Sequence, residues 1–236
     1  MCVSAVSATH QLPGIPPSPL SPSILTCRVA GDCYEVQPSG QRGGGCDTQT
    51  SVFWDHRLSQ YAMYTRNLVS PPGGGFRSVR RLHAETLRPG NLSEFEGEEQ
   101  VLQPDAVDNS SHPGPCSNTT KGFGTLCSSP FGYYGAPVWQ YPQVSDGGIY
   151  FAFAHRYWHW QRGGSWSGPA RFDVALGVSR DGSNFTIVGG REPLVRPGRS
   201  GGYASRLIWV AAHPVVMGDE IFVCKPLNVT LCVQIY

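Results

Sequence analysis

The sequence predicts an all-β fold assembled from repeated blades of the β-propeller kind. Three observations carry that expectation. Apolar residues alternate at period two in short runs closed by tight turns. The order strand pair, then hairpin, recurs along the chain, as it does in propeller blades. The composition, with 29 Gly, 20 Pro and 11% aromatic residues, favours short strands and many turns over helices. At 236 residues the chain is long enough to bury a sizeable core.

The clearest unit runs from Phe172 to Pro197. Val174, Leu176 and Val178 alternate with smaller residues, Ser179-Arg180-Asp181-Gly182 supplies the turn, and Phe185, Ile187 and Val188 resume the apolar run. Asp-Gly signals a hairpin because glycine accepts the positive φ of the turn. Phe76 to Pro104 repeats the plan in degraded form. Each hairpin follows an aromatic-rich strand pair, Thr50 to Arg66 for the first and Ala136 to Tyr157 for the second. A third pair begins at Ser205 and has no hairpin after it. The stretch from Lys225 to Tyr236 is not expected to extend the repeat. Residues 1–45, rich in Pro, Ser and Gly, read as a disordered leader, so the ordered part is expected to span 46–224.

Charge and motifs exclude several function classes. The net charge of +1 gives no electrostatic footprint for nucleic acid or an acidic membrane. No apolar run is long enough for a membrane span. There is no Walker motif, dinucleotide fingerprint, Gly-x-Ser-x-Gly elbow or His-Glu-x-x-His, so no cofactor is expected. The eight cysteines include no Cys-x-x-Cys, and His155 and His159 have no carboxylate or cysteine nearby, so no metal is expected either. An even cysteine count and sequons at Asn91, Asn109, Asn118, Asn184 and Asn228 point to a secreted or extracellular protein. Against this, the proline-broken start from Met1 to Ala30 lacks the basic and apolar regions of a signal peptide. Cys116 and Cys127 bracket a polar loop that a disulfide between them would close.

A resemblance enters at the first strand pair. Asp47-Thr48-Gln49-Thr50-Ser51-Val52-Phe53-Trp54-Asp55, followed by Tyr61-Ala62-Met63-Tyr64-Thr65-Arg66, resembles the five-bladed β-propeller glycosidase superfamily of invertases, levansucrases, arabinanases and β-xylosidases. The likeness continues in Val178-Ser179-Arg180-Asp181-Gly182, in Arg191-Glu192-Pro193 and in Met217-Gly218-Asp219-Glu220-Ile221. It covers about Asp47 to Cys224 and rests on the order of the motifs. Five blades need roughly 250 to 350 residues, so the resemblance implies about two and a half blades here and an incomplete copy. The missing blades are expected before Cys46 and after Cys224.

The resemblance also implies a carbohydrate ligand and glycosidic bond hydrolysis by an Asp/Glu pair. Cleaving an acetal needs one protonated and one ionised carboxyl flanking the bond. Asp47 stands where the family carries a blade-opening acid, as base or nucleophile. Asp105 and Glu192 are the candidates for the acid. The competing readings are a turn cap for Asp47, a polar loop for Asp105 and Asp108, and an Arg–Glu pair between strands for Glu192. Asp55, Asp173 and Asp181 read as structural or turn residues. The other two blade openings, Phe131 to Gly135 and Gly202 to Ser205, carry no acid. That shortage favours an alternative function, a non-catalytic glycan-binding or structural propeller. Tyr134, Trp158 and Trp160 are the candidates for stacking on sugar rings. In a strand Trp158 and Trp160 share one face and Tyr157 and His159 the other, and one of these faces must serve the core.

Overall fold

The computed structural model describes residues 49–69, 76–86, 95–111, 131–141, 148–159, 170–202, 205–218, 220–225 and 231–235. The expected leader, Asp47, Trp160 and the Cys116 to Cys127 loop lie outside the described residues. The described residues form three antiparallel sheets, of which the first and third are meanders in chain order. The fold is mostly β, as the composition requires.

The first sheet consists of β1 (Ser51–Asp55), β2 (Gln60–Val69), β3 (Phe76–Ala84) and β4 (Glu96–Leu102), side by side in that order. The second contains β5 (Phe131–Gly135), β6 (Val138–Tyr141), β7 (Ile149–His159), β8 (Ala170–Ser179) and β9 (Thr186–Ile187). Here β5 and β6 pair with successive halves of β7, as one edge strand broken at Ala136-Pro137, with a register shift inside β5 between Tyr133 and Gly135. The expected hairpins at 76–104 and 172–197 are the pairs β3–β4 and β8–β9. A six-residue helix α1 (Ala106–Ser111) follows the first sheet.

The third sheet departs from expectation at both ends. Its strands are β10 (Val215–Met217), β11 (Glu220–Lys225) and β12 (Leu231–Ile235). The expected strand at Ser205 does not form a ladder; Ile208 and Val210 enter the core from irregular backbone, and pairing starts only after Pro214. Proline has no N–H to give to a ladder. Conversely, the terminal stretch does extend the sheet, because β12 pairs with β11 along its length. Cys224 is disulfide-bonded, and Cys232 is its register partner on β12.

Strand alternation explains how the sheets stack. On β7, Tyr150, Ala152, Ala154 and Trp158 join a core shared with Phe53, Ala62, Tyr64 and Val79 of the first sheet. Phe151 and Phe153 point the other way, with Val174 and Leu176 of β8, onto Ile208, Val210 and Val223. The second sheet is therefore covered on both faces, which is why the first half of β7, Ile149 to Ala154, is a continuous apolar run. The opposite face of the first sheet carries its own cluster of Met63, Leu82, Ala84 and Phe95.

Two polar devices fix the first sheet to the second. Asp55 is fully buried at the end of β1. Its carboxylate accepts from the backbone N–H of Arg57 at 3.0 Å and of Leu58 at 3.2 Å, which closes the β1–β2 turn. It also accepts from the Tyr150 hydroxyl at 2.8 Å and from Gln140 Nε2 at 3.3 Å. A turn residue in the sequence is thus also the anchor between sheets.

The second device is the β8–β9 turn. Asp181 accepts from the backbone N–H of Ser183 and Asn184 and from the Asn184 side-chain amide. Partial burial works in the opposite direction, but these donors and Ser179 hold its carboxyl well below the ordinary range. The turn's carbonyls then receive the first sheet: Tyr64 Oη donates to Gly182 at 2.8 Å and Arg81 Nη1 to Asp181 at 3.1 Å. Gly182 has φ of 74°, and a Cβ there would lie 2.7 Å from the Tyr64 hydroxyl. Gly182→Ala is expected to cost about 2 kcal/mol through left-handed strain and this clash. Urea unfolding checks it; an unchanged midpoint would mean that the turn does not bear on the first sheet.

Candidate functional site

Beyond the β8–β9 turn the chain makes a 3-10 turn, Gly189–Arg191, in which Arg191 has φ of 65°. Its guanidinium reaches back to the first helix. Nη1 lies 2.5 Å from Asp108 Oδ1 and Nη2 2.5 Å from Asp105 Oδ2. Asp105 and Asp108 also cap α1 reciprocally. Asp105 Oδ1 accepts from the N–H of Val107 and Asp108, and Asp108 Oδ2 accepts from the N–H of Asp105. Slight burial pushes the Asp105 carboxyl up, but the Asp108 N–H and Arg191 outweigh it and hold the pKa below its ordinary value.

The Arg191 carbonyl continues the chain of contacts by accepting from Arg156 Nη1 at 2.8 Å. Arg156 Nε donates to Asp173 Oδ1 at 2.6 Å, with side-chain exposures of 4% and 1%. Asp173 Oδ2 accepts from Trp158 Nε1 at 2.9 Å. Arg156 and Asp173 are cross-strand neighbours on β7 and β8, and Trp158 lies two residues on along the same face.

Asp173 lines an open groove of about 530 Å³. It is lined by Arg171, Asp173, Pro193, Arg196, Pro197 and Arg206, with Ser200 and Ser205 further along. Its size falls in the range of small-ligand sites. Arg171 sits over the Trp158 ring, 5.6 Å from the centroid. Phe172 N–H donates to the Arg206 carbonyl at 2.7 Å, which brings the far wall against the start of β8.

The residues singled out in the sequence fall in different places. Asp105 is engaged by Arg191 and lies outside the groove wall. Glu192 is exposed and pairs with Arg196, four residues on in the same loop and not on a facing strand. It therefore steadies a groove arginine and does not itself line the groove. Trp158 is only 4% exposed, packs against Phe131 and spends its N–H on Asp173, so it offers no face to a sugar. The face it occupies is the core face. Tyr134 is half-buried among Tyr157, Phe172 and Trp209, with the guanidiniums of Arg66 and Arg77 4.9 and 5.2 Å from its centroid. Its ring is occupied by protein.

The acid-free opening at Phe131–Gly135 has a steric reason. A Cβ at Gly132 would stand 3.2 and 3.3 Å from the backbone N and O of Arg77. A side chain there needs Arg77 to give way by a few tenths of an ångström. His155 is fully buried, its Nε2 accepting from Val210 N–H at 3.4 Å, and burial pushes its pKa down to about 3. It is a neutral packing residue against Trp209. Among the described residues no three His, Cys, Asp or Glu side chains gather to hold a metal.

The groove arginines were missed in the sequence. A signal was present, the run of Arg191, Arg196, Arg199 and Arg206 through a Pro/Gly/Ser-rich loop. Comparison with protein-family models, curated proteins and solved structures finds no match.

Proposed function

We propose that this chain is a non-catalytic carbohydrate-binding module whose three sheets are successive blades of a five-bladed glycosidase-type propeller. The observation that carries the reading is the state of the candidate acids. A general acid must hold a proton near neutral pH, which requires a raised pKa. Asp105 is instead held ionised by Arg191, with its pKa below the ordinary range. Glu192 is tied to Arg196 at an exposed site. The tight approach of Arg77 at Gly132, where the blade opening carries no acid, supports the same conclusion. The blade assignment draws on the meander order of the first and third sheets and on the central sheet being packed from both sides. The disulfide at Cys224, together with the sequons, supports a secreted setting.

The test is a hydrolysis panel of aryl glycosides and oligosaccharides, run on the parent and on Asp47→Asn, beside a glycan-binding screen. The expected result is glycan binding with no turnover above background in either protein. Turnover by the parent that disappears in Asp47→Asn would overturn the reading and restore the hydrolase, with Asp47 as base or nucleophile.

A further inference from the structure

We infer that the arginine-lined groove between β8 and the 193–206 loop binds an oxyanion, and that its saccharide ligand is acidic, carrying a carboxylate or sulfate. The second part rests on the carbohydrate-binding reading; the first does not. Three of the groove's lining side chains are arginines, and its one carboxylate is Asp173. That carboxylate is already satisfied, by Arg156 at 2.6 Å and by the Trp158 indole N–H at 2.9 Å. It therefore cancels the buried Arg156 charge and leaves little of its own to offset Arg206. Arg196 is balanced in part by Glu192. Arg206 is exposed and has no ion-pair partner among the described residues. Positive charge concentrated in a concave site focuses the field on whatever enters it.

The groove is also shaped to hold these cations in place. Arg171 projects from β8 and lies over the Trp158 ring, which is itself fixed by its bond to Asp173. Arg206 is positioned by its carbonyl, which receives the Phe172 N–H one residue along the same strand. Pro193 and Pro197 stiffen the opposite wall, and the hydroxyls of Ser200 and Ser205 add neutral donors. Two guanidiniums presented from neighbouring backbone, with hydroxyls beside them, suit a planar carboxylate or a tetrahedral sulfate. A neutral sugar would leave the charge of the exposed Arg206 uncompensated.

Calorimetric titration of the full chain at low salt tests this with three probes: trigalacturonate, xylotriose and sodium sulfate. Trigalacturonate is expected to bind and xylotriose to bind at least tenfold more weakly, with affinity falling as salt is added. Arg206→Gln is expected to weaken trigalacturonate about tenfold, and Arg171→Gln by a similar factor. Arg199→Gln, an exposed residue of the same loop that does not line the groove, should leave binding unchanged. Thermal melting of each variant separates lost binding from lost fold, and Arg206 is the decisive position because it is exposed. Sulfate binding that Arg206→Gln weakens, with no saccharide bound, would keep the oxyanion site and sink the carbohydrate reading. Equal binding of xylotriose and trigalacturonate would sink the oxyanion site and leave the carbohydrate reading standing. Trigalacturonate binding untouched by both groove variants would also overturn the proposal.

Discussion

Asp173→Asn is expected to destabilise the protein by about 3–5 kcal/mol, because it strips a buried guanidinium of its counter-charge. Arg156 and Asp173 are 4% and 1% exposed, so neither can turn to water without opening the sheet. Asparagine keeps one acceptor but turns an amide donor toward either Arg156 Nε or Trp158 Nε1, where a donor already stands. The loss extends beyond the pair. Arg156 also donates to the Arg191 carbonyl, and Arg191 clamps Asp105 and Asp108 at the start of α1. The same substitution should therefore loosen the 3-10 turn and the helix cap. A double variant, Arg156→Met with Asp173→Leu, removes both charges together and should lie closer to the parent than Asp173→Asn alone. Urea unfolding of the parent, each single variant and the double variant measures the coupling. A cost below about 1 kcal/mol for Asp173→Asn would mean that the pair is hydrated and does not organise this part of the fold.

Residues that act through their chain neighbours were legible, and those that act through distant partners were not. The β8–β9 hairpin could be read because Asp181-Gly182 sits between alternating apolar runs, and both the turn and its Asp behave as that pattern requires. Asp55 was legible as a turn residue for the same reason. Its bonds to Tyr150 and Gln140 were not, since they join positions 95 and 85 residues away. The pairing of Asp105 was hidden for a similar cause. Asp105 and Arg191 are 86 residues apart, and no local pattern announces that one guanidinium will take two carboxylates. For Trp158, period two gave the correct partition of faces. Which face was core depended on the first sheet packing against it. The third sheet shows the limit in the other direction. Pro214 delayed a strand that apolar residues alone suggested, and a terminal segment with no hairpin signal still found an edge to pair with.

Above about pH 10 the folding stability is expected to fall by up to about 4 kcal/mol per pH unit, the largest pH response the structure implies. Three tyrosines supply it. Tyr64, Tyr133 and Tyr150 are all buried, and burial is the main force raising each phenol above its ordinary pKa. At Tyr150 the hydrogen bond to Asp55 adds to it, because a phenolate there would face a carboxylate and lose its only proton for donation. At Tyr64 the nearby Arg81 opposes the shift without cancelling it. Below about pH 10 folded and unfolded chains both keep these protons, so the contribution is fully present. As pH rises further the unfolded chain releases them and the folded chain does not. Each such proton favours unfolding by about 1.4 kcal/mol per pH unit, which sums to the expected slope. Chemical unfolding from about pH 9 to about pH 12 measures it, and of the chain's ten tyrosines these three should add their tyrosinate absorbance only as structure is lost. Tyr150→Phe should lower the slope by about a third while reducing stability at neutral pH, since Asp55 then loses a donor that ties the two sheets. All ten tyrosines ionising at the ordinary pKa in a chain that remains folded would refute the burial of these three rings and, with it, the packing of the first sheet on the second.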